Sequence, residues 1–353
     1  MPETKIFQID PQNISLELLE QAANLLKKGA LVIIPTDTVY GIAANSLNRR
    51  AIEKLHQVKQ RPADKPFPLL IEKKEKIEDF SQDIPVAAYK LIDKFWPGAL
   101  TLILKSAKGD TVGLRMPNHA LALKIIELSA VPLACPSANI SGRPAPKDFS
   151  AAIADLNGQV EAAIDAGSAT LGAESTVVDL SGEGLKILRP GAIKKEEIEQ
   201  AVGKKSVLFV CTGNSCRSVM AKALLEKKLK ELNRQDVEVS SAGVMGLNGM
   251  SATQATKDVL VQEGVDASTH RSQGINQVLL KKSDLILVME KLHEDKIVQF
   301  APEVKNRVFL LKEFAKINQG SMDIEDPIGM SLEFYQHTLA VIKEAIERIA
   351  KII

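Results

Sequence analysis

Two cysteines, an arginine and a serine stand close together in the segment VLFVCTGNSCRSVM, residues 207–220. A hydrophobic run ends at Cys211, the polar turn TGNSC follows, and Arg217 and Ser218 lead into a helical pattern. A turn from a strand into a helix directs backbone N–H groups and the positive end of the helix dipole at one point, where a phosphoryl group can bind. The same field favours the thiolate of Cys211, which can attack phosphorus and form a phosphocysteine.

The spacing Cys-x5-Arg-Ser assigns neighbouring side chains to the same reaction. Arg217 can direct two N–H groups at phosphoryl oxygens, and Ser218 can donate a hydrogen bond to the sulfur and help it leave. The leaving group needs an acid, for which DIEDPIG offers Asp326, with Asp323 and Glu325 as alternatives. The residues predicted to form the phosphate-binding loop are Thr212, Gly213, Asn214, Ser215 and Cys216.

Residues 206–353 resemble the low-molecular-weight protein phosphatase family in CTGNSCRS, in SSAG at 240–243 and in the late Asp-Pro pair. Two positions depart from that family. Val219 stands where proline is usual, and Ile328-Gly329 replaces the tyrosine that often follows Asp-Pro in members directed at phosphotyrosine. The resemblance implies a cysteine-dependent phosphatase acting on a phosphoprotein, with phosphoarginine and phosphotyrosine both open as the target.

Two alternatives to a phosphatase stay open for this half of the chain. An arsenate reductase shares CTGNSCRS but needs two further cysteines downstream, and none follows Cys216. A loop of this kind could also bind phosphate without turnover. Cys216 has two interpretations of its own: it packs in the core, or it forms a reversible disulfide that shields Cys211 from irreversible oxidation.

In the first two hundred residues, polar and basic side chains follow the hydrophobic runs that read as strands. The carboxyl ends of strands are where an open α/β sheet builds its pocket. Several cations together with hydroxyls and amides predict a site for a polyanion and a small polar ligand. The residues concerned are Thr36, Lys59, Arg61, Thr111, Arg115, Ser137, Asn139, Ser175 and Arg189.

Seven strings in this region, PTDTVYG, KQRP, WPGALTLIL, RMP, PSANISGRPAP, ESTVVDL and ILRPGAI, together resemble the threonylcarbamoyl-AMP synthase (YrdC-like) family over residues 12–200. The resemblance implies synthesis of threonylcarbamoyl-AMP from L-threonine, bicarbonate and ATP. Mg²⁺ is expected to accompany ATP. The implied partner is the tRNA threonylcarbamoyl transferase complex, which links the chain to tRNA only indirectly.

Under this resemblance, charge and hydrogen bonding divide the site residues between the two substrates. Lys59 and Arg61 neutralise the triphosphate in the transition state. The other residues expected to bind ATP are Ser137, Asn139 and Arg189, with Thr111 at a phosphate. The residues expected to bind threonine are Arg115, at its carboxylate, and Thr36 and Ser175.

An RNA-binding module without chemistry is the rival interpretation of this half. A net charge of +1 and an aromatic content of 4% count against it, because such modules rely on positive fields and stacking platforms.

The length of 353 residues predicts two domains, with residues 1–203 in the first and 204–353 in the second. The first is predicted to be a YrdC-like α/β domain with a twisted mixed sheet. The second alternates strand and helix from Ser206 onward, which predicts a doubly wound parallel α/β domain.

The remaining features concern compartment and metals. The N-terminus MPETKIFQIDPQ lacks the apolar core of a signal peptide, and no apolar run reaches membrane-spanning length. Three cysteines are not a disulfide framework, and no histidine stands near them at metal-ligand spacing. We therefore expect a cytoplasmic protein without a protein-held metal.

Overall fold

The computed structural model describes residues 3–353, which form two compact units. The first unit ends at Glu199 and the second begins at Gln200, four residues before the predicted boundary at Gly203. The difference arises because a helix, Lys195–Gly203, spans the division and a strand begins at Lys205. In the Gly-Lys-Lys sequence, Gly203 therefore ends the helix, Lys205 begins the strand, and Lys204 alone connects them.

The first unit contains ten strands among the described residues. They are β1 (Lys5–Gln8), β2 (Val32–Ile34), β3 (Gly41–Asn45), β4 (Leu69–Leu70), β5 (Leu100–Lys105), β6 (Thr111–Arg115), β7 (Leu133–Ala134), β8 (Ala162–Asp165), β9 (Thr176–Asp179) and β10 (Lys186–Arg189). The helices are α1 (Leu16–Lys27), α2 (Arg49–Lys59), α3 (Ile77–Phe80), α4 (Val86–Phe95), α5 (Ala120–Ser129), α6 (Phe149–Leu156) and α7 (Lys195–Gly203), with a 3₁₀ turn at Lys74–Lys76.

These ten strands form one sheet in the order β1-β8-β2-β3-β7-β4-β6-β5-β9-β10. Its pairs are parallel at β1–β8, β2–β8, β4–β6 and β5–β9 and antiparallel elsewhere. The predicted mixed α/β sheet is thus confirmed. Alternate residues of β2 and β3 enter two different apolar clusters, which shows that both faces of the sheet centre are covered.

The second unit contains β11 (Lys205–Cys211), β12 (Val237–Gly243), β13 (Leu285–Val288) and β14 (Val308–Leu310). Its helices are α8 (Arg217–Glu231), α9 (Gln254–Gln262), α10 (Gln277–Lys282), α11 (Lys291–Phe300), α12 (Leu311–Phe314) and α13 (Leu332–Ile349), with a 3₁₀ segment at Pro302–Arg307. The sheet order is β12-β11-β13-β14, and every pair is parallel.

The central strand β11 of this unit is buried on both faces. Val207, Phe209 and Cys211 belong to one apolar cluster, whereas Leu208 and Val210 belong to another. Side chains alternate between the two faces of a strand, so helices cover both sides, as the predicted doubly wound fold requires. None of the helices within residues 3–353 combines the length and the apolar character needed to cross a bilayer.

Two candidate active sites

A cavity of about 460 Å³ lies in the first unit, and all nine residues predicted from the sequence line it. They reach it from different elements. Lys59 is the last residue of α2, Arg115 ends β6 and Arg189 ends β10. Ser137 and Asn139 follow β7, and Thr36 follows β2 by two residues. The mixed sheet therefore gathers residues that are up to 153 positions apart.

Lys59 is the most enclosed cation at the cavity, with 3% of its surface exposed. Its Nζ donates to the main-chain oxygens of Ser137 and Asn139, both at 2.6 Å, and to Asn139 Oδ1 at 3.0 Å. Ser137 Oγ donates to the same Oδ1 at 2.6 Å. Burial, followed by the charge of Arg61, lowers the pKa of Lys59 to about 8. Lys59 thus holds the Ser137–Asn139 turn in place.

The turn that carries Ser137 is also fixed to the start of β3. Ile42 N donates to Pro136 O at 2.9 Å, and Ala138 N donates to Tyr40 O at 2.8 Å. A Cβ on Gly41 would lie 2.5 Å from Cys135 Sγ and 3.3 Å from Pro136 O, so a larger residue here would displace Cys135. Burial raises the pKa of the Cys135 thiol to about 12, which agrees with an inert packing role.

Two further guanidinium groups face the cavity. Burial, followed by the charge of Arg189, lowers the pKa of Arg61. Arg61 donates to Pro66 O at 3.1 Å and lies 5.1 Å from the Phe67 ring centroid. Arg189 pairs with Glu174 at 2.6 Å and donates to Ser175 O at 2.9 Å. Two cations that influence each other across a cavity form a site for a polyanion.

Arg115 is buried and already engaged by the protein. It pairs with Asp37, donates to Thr38 Oγ1 at 2.7 Å and donates through Nε to Gly98 O at 3.0 Å. Asp37 Oδ2 is buried and finds no hydrogen-bond partner among residues 3–353. Thr36 Oγ1 donates to Val39 O at 2.6 Å. Sequence reasoning gave Asp37 no binding role, although it supports the residue expected to bind carboxylate.

The remaining two predicted residues, Ser175 and Thr111, differ in their exposure to solvent. Ser175 is buried and shares a 2.8 Å hydrogen bond with Thr101. Thr111 is exposed at the start of β6 on the cavity rim. Thr101 and Glu174 also line the cavity but were not singled out. The sequence signals of these two residues are weak. Thr101 lies inside the strand LTLILK, and Glu174 stands directly before Ser175, to which the binding role is assigned.

The second site lies where β11 passes into α8. Cys211 ends the strand, and Arg217 is the first residue of the helix. Cys211 Sγ lies 3.0 Å from Ser218 Oγ, the contact expected of a residue that stabilises the sulfur. The first turn of α8 directs its free N–H groups toward the loop. Both Cys211 and Ser218 are buried beneath it.

Asn214 stabilises the loop from within. It has a left-handed backbone with φ +54°, and its Nδ2 donates to Ser218 Oγ and Ser241 Oγ, both at 2.9 Å. Its Oδ1 accepts from Gln273 N at 3.0 Å, and His270 Nε2 lies 2.8 Å from its main-chain oxygen. Four contacts around one buried residue make the loop rigid.

The loop packs directly on the end of β12. A Cβ on Gly243 would lie 2.8 Å from Thr212 O and 2.9 Å from Asn214 N and from Gly213 C. All three are backbone atoms that cannot rotate away. Ser215 O accepts from Thr253 N at 3.1 Å on the other side. The phosphate loop is thus held between β12 and the start of α9.

Arg217 is fully buried in this site. Its Nη1 donates to Ile324 O at 2.7 Å and lies 2.8 Å from Glu290 Oε2. Its Nη2 donates to Thr212 Oγ1 at 3.0 Å and pairs with Asp326. Its Nε is buried and has no acceptor within residues 3–353. An unpaired buried N–H carries a desolvation cost, which an anion in the loop would remove.

The three carboxyls proposed as the acid differ in position. Asp326 pairs with Arg217 and is half-buried. Asp323 Oδ1 accepts from Lys291 N at 2.8 Å and so holds the start of α11. Glu325 is exposed. Asp326 is therefore the carboxyl that the structure brings to the loop.

Cys216 is a buried free thiol at the N-cap of α8. Its Sγ lies 3.4 Å from Thr253 Oγ1 and 3.7 Å from Tyr335 Oη. The proposed disulfide to Cys211 stays a prediction. Two residues outside the predicted set, Glu290 and His293, touch Arg217 and Thr212, respectively. They carry no local signal, because they lie more than 70 positions downstream of these partners.

Comparisons with known proteins agree with both sites. A family model described as "Telomere recombination", named for Sua5, YciO and YrdC, matches residues 24–191. The model "Low molecular weight phosphotyrosine protein phosphatase" matches residues 206–353. A crystal structure of Pyrococcus abyssi Sua5 complexed with L-threonine aligns at a TM-score of 0.55 with 25% identity, covering 97% of this chain and 98% of that one.

Three curated relatives share substantial identity. A threonylcarbamoyl-AMP synthase of Pyrococcus abyssi is 41% identical over 57% of this chain and 62% of its own length, so the chain spans less than two thirds of that relative. A putative threonylcarbamoyl-AMP synthase of Mycobacterium tuberculosis is 39% identical over 55% of this chain and 93% of its own length. A protein-arginine-phosphatase of Geobacillus stearothermophilus is 40% identical over 41% of this chain and 93% of its own length. The chain therefore belongs to the Sua5/YciO/YrdC family through its first unit and to the low-molecular-weight protein phosphatase family through its second.

Proposed function

We propose that the chain is a bifunctional enzyme whose first unit makes threonylcarbamoyl-AMP. The observation that carries this proposal is the gathering of all nine predicted residues around one cavity of about 460 Å³. The names of the two synthase relatives and the threonine in the Pyrococcus abyssi structure support the same substrates.

In the proposed reaction, the threonine amine and bicarbonate form a carbamate with loss of water. A carbamate oxygen attacks the α-phosphorus of ATP, and the bond to the pyrophosphate oxygen breaks. Arg61 and Arg189 would stabilise the charge that develops on the phosphates. Lys59 adds its charge while holding the Ser137–Asn139 turn. Arg115, held by Asp37, would orient the threonine carboxylate.

Mg²⁺ would enter this site with ATP as part of the substrate. The part of the chain that the structure describes contains no cluster of three His, Cys, Asp or Glu suited to a metal, and Glu174 at the cavity already pairs with Arg189. Oxygen ligands for the ion would therefore come chiefly from the triphosphate. The tRNA threonylcarbamoyl transferase complex would consume the product, so contact with tRNA would be indirect.

For the second unit, we propose a phosphatase that acts on phosphoarginine in proteins. The observation that carries this proposal is the convergence of Cys211, Ser218, Arg217 and Asp326 on one loop. The arginine phosphatase relative supports the substrate. Ile328, which is 58% exposed and follows Asp326 by two residues, is an aliphatic side chain in the position where phosphotyrosine-directed members often have tyrosine.

The proposed phosphatase reaction has two steps. The Cys211 sulfur attacks phosphorus, the phosphorus–nitrogen bond breaks, and Asp326 gives its proton to the leaving guanidinium nitrogen. Water then attacks the phosphocysteine, Asp326 takes up a proton, and inorganic phosphate leaves the thiolate. Ser218 stabilises the sulfur as it leaves. Asp326 must release Arg217 when phosphate arrives, which frees Nη2 beside the unpaired Nε.

A pair of assays on the full chain tests both activities. Pyrophosphate release should require ATP, threonine and bicarbonate together, and its absence would favour a binding module for the first unit. Phosphoarginine, phosphotyrosine and phosphoserine peptides, with arsenate as a further substrate, test the second unit. Turnover should be highest with phosphoarginine and should vanish in Cys211→Ser. If only arsenate were reduced, or if no peptide were hydrolysed, the phosphatase proposal would be wrong.

A reducing compartment suits the proposed thiolate chemistry. Cys135, Cys211 and Cys216 are all free thiols, and catalysis needs Cys211 to stay reduced. We therefore propose the cytoplasm as the location of the enzyme.

A further inference from the structure

Two residues at the start of α11 contact the phosphate loop from outside the Cys-x5-Arg-Ser motif. Glu290 is the N-cap of α11, and His293 lies in its first turn with none of its surface exposed. Glu290 Oε2 lies 2.8 Å from Arg217 Nη1. His293 Nε2 lies 3.0 Å from Thr212 Oγ1. One short segment thus reaches two members of the loop.

The contacts of Arg217 show which of its N–H groups are available to a substrate. Nη1 is occupied by Ile324 O and Glu290, and Nη2 by Thr212 and Asp326. Nε has no acceptor within the described residues. Nε and Nη2 share one edge of a guanidinium, and that edge can bind two phosphoryl oxygens. Nη1 is therefore the nitrogen that can keep its contacts with the protein while phosphate binds.

The two carboxylates around Arg217 have different tasks. Asp326 must leave the guanidinium to act as the acid, whereas Glu290 is needed for no proton transfer. Glu290 N donates to His293 Nδ1 at 3.1 Å, and His293 N donates to Glu290 O at 3.0 Å. These bonds fix Glu290 at the helix end. Glu290 can therefore hold the guanidinium in place after Asp326 has moved.

The hydrogen bonds of His293 determine its tautomer. Because Nδ1 accepts from the Glu290 amide, the ring hydrogen of the neutral imidazole must lie on Nε2. The Nε2 hydrogen then faces Thr212 Oγ1 at 3.0 Å and Glu290 Oε2 at 3.3 Å, and Thr212 Oγ1 also accepts from Arg217 Nη2. Burial, followed by the charge of Arg217, lowers the pKa of His293 to about 4, so this arrangement persists at neutral pH. Thr212 is thereby fixed in one orientation beside the guanidinium.

We propose that Glu290 and His293 are positioning residues for the phosphatase reaction, Glu290 through the guanidinium of Arg217 and His293 through the hydroxyl of Thr212. The proposal rests on the phosphatase function proposed above and adds two residues to its machinery. They keep the Nε–Nη2 edge directed at the phosphoryl group during the step in which Asp326 transfers its proton. Their loss should weaken phosphate binding as well as turnover.

The test uses the full chain with p-nitrophenyl phosphate as substrate and inorganic phosphate as competitive inhibitor. Glu290→Ala should raise KM and the inhibition constant of phosphate, and lower kcat/KM by about tenfold or more, the effect of losing a charged hydrogen bond. Glu290→Gln, which keeps an acceptor near Nη1, should recover part of the loss. Asp295→Ala is the matched control, since Asp295 lies on the same helix and its side chain is 65% exposed.

The positioning role of His293 is tested by a double-mutant cycle with Thr212. His293→Leu and Thr212→Val should each lower kcat/KM, and the double variant should be no worse than the more impaired single variant, because both changes break the same contact. Fully additive effects would overturn the role through Thr212. Thermal melting separates loss of folding from loss of positioning, and Glu290→Gln serves as the mild variant if Glu290→Ala fails to fold.

The outcome for the parent enzyme separates this inference from the proposed function. If the unmodified chain hydrolyses no phosphate ester or phosphopeptide, the phosphatase function itself fails. If it is active and folded Glu290→Ala and His293→Leu keep its KM, kcat and phosphate inhibition, the positioning role is overturned.

Discussion

Lys59 Nζ lies 2.6 Å from the main-chain oxygen of Asn139 and 3.0 Å from its side-chain oxygen. Together with the bond to Ser137 O, these contacts use all three hydrogens of the ammonium group. The Lys-x-Arg and Ser-x-Asn strings therefore form one structural unit, in which the lysine sets the shape of the turn that faces the cavity.

Replacement of Lys59 should impair both synthesis and stability. Lys59→Met keeps the aliphatic stem but leaves the main-chain oxygen of Asn139 without its donor, and a buried unsatisfied group costs about 1–3 kcal/mol. Ser137 O and Asn139 Oδ1 each lose one of two donors. We expect pyrophosphate release to fall by about tenfold or more as the turn shifts. Lys65→Met is the control, because Lys65 is exposed nearby. Equal losses in both variants would mean that only general charge near the site matters.

The charge of Lys59 should also set the alkaline limit of the synthase. Burial, followed by Arg61, lowers the pKa of Lys59 to about 8. Above this pH the neutral amine keeps two hydrogens for three acceptors and contributes no positive charge. Initial rates of pyrophosphate release at limiting ATP, which report the pKa values of the free enzyme, should therefore decline as pH rises through about 8. A flat profile to about pH 10 would contradict the shifted value.

Gly243 should be essential to the phosphatase and irrelevant to the synthase. Gly243→Ala would place a Cβ within 2.9 Å of backbone atoms of Thr212, Gly213 and Asn214, so the loop must move. We expect phosphatase activity to fall by about a hundredfold, since a displacement of about 1 Å can cost that much. Pyrophosphate release is the internal control. Gly203→Ala, which meets open space, should leave phosphatase activity unchanged.

Acid should loosen the second unit through His293, which is buried, and His270, which is half-buried. The pKa of His293 is lowered from 6.5 to about 4 by burial and by Arg217, and burial also lowers the pKa of His270. A histidine kept neutral binds fewer protons folded than unfolded, so its stabilisation is complete above pH 6.5 and is lost as pH falls through about 4. For His293 alone the loss amounts to roughly 3 kcal/mol.

Hydrogen exchange of peptides from β11 and α8, converted to opening free energies at pH 7 and pH 4.5, measures this effect. The free energy should decrease toward acid, and the decrease should be smaller in His293→Asn. An unchanged slope in that variant would show that other groups carry the pH dependence.

Secondary structure in the second unit follows from its sequence because apolar strand segments such as VLFV and LILV alternate regularly with helical patterns. The segment VEVSSAG predicts a strand at 237–243, which matches β12, and SLEFYQHTLAVIKEAIERIAKII predicts a last helix over 331–353, which agrees with α13 to within four residues at each end. In the first unit, the segments ALVIIP, PFPLLI, LTLILK, VPLACPSAN, STVVDL and LKILRPG predict strands, whereas β1, β3, β6 and β8 have no such signal. β3 reads GIAAN, whose small residues lack strand propensity, and it is a strand because it is buried between β2 and β7.

Prediction of the two candidate active sites from the sequence has the same limit as prediction of the strands. Motif residues such as Cys211 and Arg217 are close in sequence, so their spacing alone indicates a loop around phosphate. Glu290 and His293 carry no such signal, because their partners are fixed by the packing of separate elements. Supporting residues inside the motif strings, such as Asn214 and Asp37, can be recognised from the sequence, whereas supporting residues from other elements cannot.

Asp326 should be the general acid, and the three candidate carboxyls can be separated by mutation. Asp326→Asn should lower kcat by roughly 10²–10⁴-fold with a phosphoarginine peptide, the usual contribution of acid catalysis. The loss should be smaller with p-nitrophenyl phosphate, because its leaving group needs no proton at neutral pH.

The other two carboxyls serve as comparison variants. Glu325→Gln should match the unmodified chain, since Glu325 is exposed. Asp323→Asn should lower thermal stability, because it weakens the bond to Lys291 N that holds α11. Equal losses on both substrates in Asp326→Asn would instead assign this carboxyl to the orientation of Arg217 and leave the proton donor among the other two.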